Sequence, residues 1–88
     1  MSNTESLMEF PCDFPIKAIG EAGFAFDAVV VEIVNRHAQT VGEGAVTTRE
    51  SRGGRYLAVT VTVRAQSREQ LDAIYQDLTA DPRVTMAL

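Results

Sequence analysis

The sequence predicts an α+β fold, a ferredoxin-like βαββαβ sandwich, and two observations carry that prediction. Apolar residues recur at helical spacing in two segments, and strand-like segments flank and separate them in the order β-α-β-β-α-β. Residues 56–65 also alternate strictly: Leu57, Val59, Val61, Val63 and Ala65 fall on one face, with Tyr56, Ala58, Thr60, Thr62 and Arg64 on the other. A strand apolar on one face and threonine-rich on the other belongs to an antiparallel sheet covered on one side only. The expected sheet is four-stranded with order 4-1-3-2, and both helices lie on one face. Residues 10–88 are expected to form one domain, preceded by a loose, largely polar arm at 1–9.

The first strand is predicted where Phe14, Ile16 and Ala18 alternate with Pro15, Lys17 and Ile19, ending at Gly20. A helix then starts near Phe24, with Phe26, Val29, Val30, Ile33 and His37 along its inner face and Val34 at the margin. Asp27 in its first turn and Arg36 and His37 in its last suit the helix dipole. Val46–Ser51 reads as a polar edge strand, and Arg52-Gly53-Gly54-Arg55 as a hairpin turn whose glycines supply positive φ. Ser67 and Gln70 have the spacing of a capping box that opens a second helix, whose Leu71, Ile74, Tyr75 and Leu78 form its inner stripe. That helix stops before Asp81-Pro82, and Val84, Met86 and Leu88 alternate with Thr85 and Ala87 in a last strand.

Composition bounds the function. The chain has 88 residues and a formal net charge of -4, which argues against nonspecific nucleic-acid binding. The charge is uneven: residues 44–68 hold Arg49, Arg52, Arg55, Arg64 and Arg68 against Glu50 alone. Such a basic segment steers anionic partners or simply solubilises a hairpin edge. The single cysteine, Cys12, excludes an internal disulfide and a zinc pattern, and reads as a small buried thiol. No apolar run reaches the ~20 residues that cross a bilayer, and residues 1–9 have no secretory pattern. The expectation is a cytoplasmic protein without membrane association.

No catalytic constellation is visible. His37 is the only histidine, and it reads as a helix-ending cation or a partly buried ring rather than a base. The acylphosphatase and metal-transfer patterns of this fold are absent: residues 20–23 contain neither an arginine nor a Cys-x-x-Cys. An RNA-recognition sheet needs aromatics on its central strands, and here Lys17 and Ala58 occupy two of the expected places beside Tyr56. Two surface features remain. Arg49, Arg52, Arg55 and Tyr56 at the hairpin suit a protein partner or an anionic metabolite, since guanidinium forks fit carboxylate and phosphate. Gly20, Glu21 and Gly23 lead into a helix N-terminus, where exposed N–H groups can take an anion. A tight turn explains those glycines equally well. The turn resembles the glycine-bearing loop of ACT regulatory domains, which bind small metabolites, often at subunit interfaces. Glu21 lies near the place where that family has an aspartate.

The chain from Glu9 to Leu88 also resembles the YbeD-like family of small bacterial proteins. The carrying residues are Glu9-Phe10-Pro11, Phe14, Lys17 and Gly20, then Val30-Val31-Glu32, Val34 and Arg36-His37-Ala38. They continue with Gly54, Tyr56, Val59, Thr62, Ala65, the helix from Ile74 and Tyr75 to Leu78, and Val84, Met86 and Leu88. The resemblance implies a ferredoxin-like fold similar to ACT domains and a regulatory role linked to lipoate metabolism; with no catalytic constellation in the residues, the expected function is a non-enzymatic regulatory or protein-interaction module without a cofactor. A monomer or weak homodimer is expected, and the alternative is an ACT-like metabolite sensor with its ligand at Gly20–Gly23 or at a dimer interface.

Overall fold

The structure is a computed structural model that describes residues 9–23, 25–40, 42 and 44–88. The expected arm therefore lies almost wholly outside the described residues, as does Phe24. The elements are β1 (Cys12–Glu21), α1 (Phe26–Asn35), β2 (Val46–Glu50), β3 (Tyr56–Ala65), α2 (Arg68–Ala80) and β4 (Met86–Ala87), with a 3-10 turn, Arg52–Gly54, between β2 and β3. The sheet order is β2-β3-β1-β4, every pairing antiparallel. That is the predicted 4-1-3-2 read from the other edge, and the fold is ferredoxin-like.

The β3 alternation does what the sequence implies. Val59, Val61, Val63 and Ala65 are fully buried and Leu57 partly so, while Arg64 is exposed and Thr60 and Thr62 are half-buried. Ile16 and Ala18 of β1 face the same way, opposite Val61 and Val59. Phe26, Val30, Ile33 and Val34 of α1, with Leu71, Ile74 and Leu78 of α2, complete the core on that side. Each such aliphatic side chain contributes roughly 1.5–3 kcal/mol on full burial.

Several local expectations need correction. Strand β1 begins two residues before Phe14 and runs one past Gly20, because its ladder with β3 holds from Cys12↔Ala65 to Glu21↔Tyr56. Val34 is fully buried rather than marginal, because α1 is sandwiched against both β3 and α2. The helix ends at Asn35, so no basic residue lies in its last turn; Arg36 caps it and reaches across to α2. The capping box is only half formed. Ser67 Oγ accepts the Gln70 N–H at 3.1 Å, but Gln70 Oε1 accepts from Gln66 N–H at 2.6 Å, and Gln70 Nε2 donates to the His37 carbonyl at 2.8 Å. The glutamine thereby ties α2 to the end of α1. The last strand shrinks to two residues, although Thr85 N–H still donates to Ile19 O and Leu88 exchanges two main-chain bonds with Lys17. Val84 is buried, whereas Met86 and Leu88 are exposed, and Met86 lies opposite Ile19 on the open face.

Two predictions follow from this packing. Val61→Asp places an unpaired charge in the core at a cost of several kcal/mol, comparable with the ~4–13 kcal/mol available to a domain of this size, and is expected to abolish cooperative unfolding. Thr62→Asp, one residue on and facing outward, is expected to leave a folded protein, and circular dichroism with thermal melting separates the two. Ser67→Ala is expected to lower stability by about 1 kcal/mol through loss of the cap. An unchanged denaturant midpoint would mean that the hydroxyl contributes nothing to α2.

Candidate functional site at the open sheet face

The turn after β2 is built by Ser51. Its carbonyl accepts from Gly54 N–H at 2.8 Å, its N–H donates to Tyr56 O at 2.9 Å, and its Oγ accepts from Tyr56 N–H at 2.9 Å. Gly53 and Gly54 take φ of 84° and 73°, left-handed values that side chains with a Cβ rarely adopt. This tight closure sets the arginines around one patch. Arg49 pairs with Ala58, and both share the uncovered face with Tyr56 and Ile19. Arg49, Glu50, Ser51 and Arg52 border a shallow depression of about 370 Å³ that also includes Ile19, Tyr56 and Ala58. The Arg55 guanidinium carbon stands 5.8 Å from the Tyr56 ring centroid, within cation–π range. The three hairpin arginines named from the sequence thus lie around Tyr56, the fourth residue named with them.

Electrostatics sets this patch apart. Arg36 is paired with Asp77 at 3.3 Å, Arg64 with Asp13 at 3.1 Å and Arg83 with Asp81 at 2.7 Å. Arg49 and Arg52 are in no ion pair with any described residue. Bidentate contact with Arg83, through its side chain and its backbone N–H, holds the Asp81 carboxyl down at about 2. The Arg83 charge is therefore already answered, while the hairpin arginines keep their donors available.

The glycine turn adjoins the same patch. Glu21 lies opposite Tyr56, and Ala22 N–H donates to Arg55 O at 2.9 Å. Two sequence-distant candidates are thus neighbours. Within the turn, however, Phe26 N–H is taken by Gly23 O at 3.1 Å, and Ala25 precedes the helix in a left-handed conformation with φ of 52°. Gly20 is buried in β1, where a Cβ would stand 2.5 Å from the Phe26 ring and 2.6 Å from Arg83 O. Close packing is its evident role.

Elsewhere, His37 Nε2 meets Asp77 Oδ2 at 2.9 Å across the two helices. That contact, helped by Arg36, lowers the Asp77 pKa. The His37 ring is partly buried, one of the two roles expected for it. Cys12 is half-buried on β1 rather than fully buried, because it lies at the end of the ladder, against the margin of the core. Among the described residues no cluster of His, Cys, Asp and Glu could hold a metal ion, and no helix is long and apolar enough to cross a membrane. Sequence reasoning did not single out Ile19 as a site residue, although it adds apolar surface to the depression, with Met86 beyond it on the opposite edge strand. The available signal was Ile19 itself, an aliphatic residue in the outward phase of β1.

The family model described as a protein of unknown function (DUF493) matches residues 5–88. The chain belongs to that family. A UPF0250 protein of Paraburkholderia phytofirmans is 51% identical over 99% of this chain and 98% of its own length. Another, from Chromobacterium violaceum, is 50% identical over 96% of this chain and 94% of its own. These matches agree with the YbeD-like resemblance. The solution structure of protein HP0495 from H. pylori superposes with a TM-score of 0.73 at 12% identity, covering 92% of this chain and 85% of that one. At that identity the likeness speaks for the fold alone.

If Gly20 serves packing, Gly20→Ala is expected to cost about 1–3 kcal/mol by overfilling the space beside Phe26. Chemical denaturation measures this directly, and a neutral result would return Gly20 to the list of ligand-binding candidates.

Proposed function

We propose that the protein is a non-enzymatic, cytoplasmic interaction module of regulatory type that engages an anionic surface through Arg49, Arg52, Arg55 and Tyr56. One observation carries this reading: Arg36, Arg64 and Arg83 are each held by a carboxylate, whereas Arg49 and Arg52, which flank an uncovered depression, form no ion pair with any described residue. Guanidinium groups beside an aromatic ring offer a carboxylate or phosphate two-pronged hydrogen bonds and an apolar wall. The core contributes no chemistry of its own, as no polar or charged residue among those described is buried. The YbeD-like resemblance attaches the role to lipoate metabolism, with the module acting as a monomer or weak homodimer.

A small anionic metabolite is the second reading, favoured by the contact between the glycine turn and the Arg55 backbone. Such a ligand stabilises the fold by about 2.7 kcal/mol at a hundred times its dissociation constant, which thermal-shift screening with amino acids, lipoate and nucleotides detects. The test of the first reading is the triple variant Arg49→Glu, Arg52→Glu, Arg55→Glu. Exposed charges contribute little to folding, about 0–1 kcal/mol per pair, so its melting temperature is expected to stay close to that of the native protein. Proteins captured by the native chain from a bacterial lysate are expected to be lost with the variant; retention on a folded triple variant would reject the arginine face.

A further inference from the structure

Strand β2 is the sheet's outer edge, and all five of its residues are exposed. Its bonding phase follows from its ends. Thr62 N–H donates to Ala45 O and Ser51 N–H donates to Tyr56 O, both at 2.9 Å. Antiparallel ladders alternate residue by residue, so Thr47 and Arg49 turn their main-chain groups toward β3. Val46, Thr48 and Glu50 turn theirs outward. Natural edges are blunted with proline, bulges or charged side chains, lysine above all; Val46–Glu50 has no proline or lysine, and its two charges, Arg49 and Glu50, stand together at the turn end, leaving Val46–Thr48 uncharged. Its first three residues are β-branched, which suits further pairing.

We propose that this edge accepts an extended acidic segment of a partner protein as an added antiparallel strand. The proposal rests on the arginine-face reading and specifies how the partner is held. In the added strand, the residue opposite Arg49 lies on the open face, at a close, non-hydrogen-bonded position from which cross-strand charges meet. An acidic side chain there reaches Arg49, and one two residues along, past the end of β2, reaches Arg52. The residue between them falls on the helix side opposite Glu50, where an uncharged side chain is required, and the following ones on that side meet Thr48 and the exposed Val46. The fitting segment therefore alternates acidic with β-branched residues. Main-chain bonds supply affinity and alternate side chains supply selectivity, as in other strand-addition complexes.

The probe is a short capped peptide in which Glu alternates with Val, titrated into the full chain and followed by NMR amide exchange and anisotropy. The Glu–Val peptide is expected to bind, its Lys–Val counterpart to bind at least tenfold more weakly, and the Val46, Thr48 and Glu50 amides to become at least tenfold slower to exchange. N-methylation of the peptide amides that face β2 is expected to weaken binding at least tenfold, with the protein itself unaltered. Equal binding of the N-methylated peptide, or unprotected β2 amides, overturns strand addition. If Arg49→Glu, Arg52→Glu, Arg55→Glu still abolishes binding in that case, the arginine face stands alone. Protected amides with binding that survives the triple reversal overturn the acidic partner and the arginine face together. No binding of the Glu–Val peptide overturns the proposal and leaves the arginine face to its own test. A dimer by light scattering that Thr48→Pro dissociates also overturns it, since the edge would belong to a second copy.

Discussion

Ten residues of β1 lie antiparallel to ten of β3, Cys12↔Ala65 through Glu21↔Tyr56, and the other elements take their positions from that ladder. Its two faces are chemically unlike. One presents Ile16, Ala18, Val59, Val61 and Val63, all fully buried beneath the helices. The other presents Lys17, Ile19, Tyr56, Ala58 and Thr60 to solvent or half-burial. Because side chains alternate with period two, a slip of one residue would expose the first set and bury the second. The register is thus held by the hydrophobic effect, and the open face is a consequence of it.

The same ladder leaves unequal edges. On one side β4 supplies only Met86–Ala87, and its neighbourhood is tied down by Thr85, Leu88 and the Tyr75 hydroxyl, which donates to Leu88 O at 2.8 Å. On the other side β2 is wholly exposed and runs into a turn, and neither Arg49 nor Arg52 there forms an ion pair with a described residue. The two edges therefore differ in length and in charge. The helix layer, by contrast, is closed on itself by the His37–Asp77, Arg36–Asp77 and Gln70–His37 ties.

Much of the fold was legible in the residues because its determinants are local. The alternation from Leu57 to Ala65, the stripe from Leu71 to Leu78, the Ser67 cap and the Gly53-Gly54 turn each need only a few neighbouring residues to be recognised. In each case the structure places the element within a residue or two of its expected bounds. The family resemblance was legible for the same reason, as its residues are spread along these elements.

What tertiary structure alone decided concerns residues far apart in the chain. Arg36 and His37 looked like the charged end of one helix, yet they serve Asp77, about forty residues away. Gly20 looked like part of an anion-binding turn, yet its hydrogen is required by the Phe26 ring and the Arg83 carbonyl. The hairpin and the glycine turn looked like separate candidates until the β1–β3 register set Glu21 against Tyr56. Periodicity assigns a side chain to a face of its own element, but it carries no information on which distant element will face it. That pairing is chosen when the sheet register and the shared core are satisfied together, and only then do the hairpin's Arg49, Arg52 and Tyr56 share a surface with Ile19 of β1.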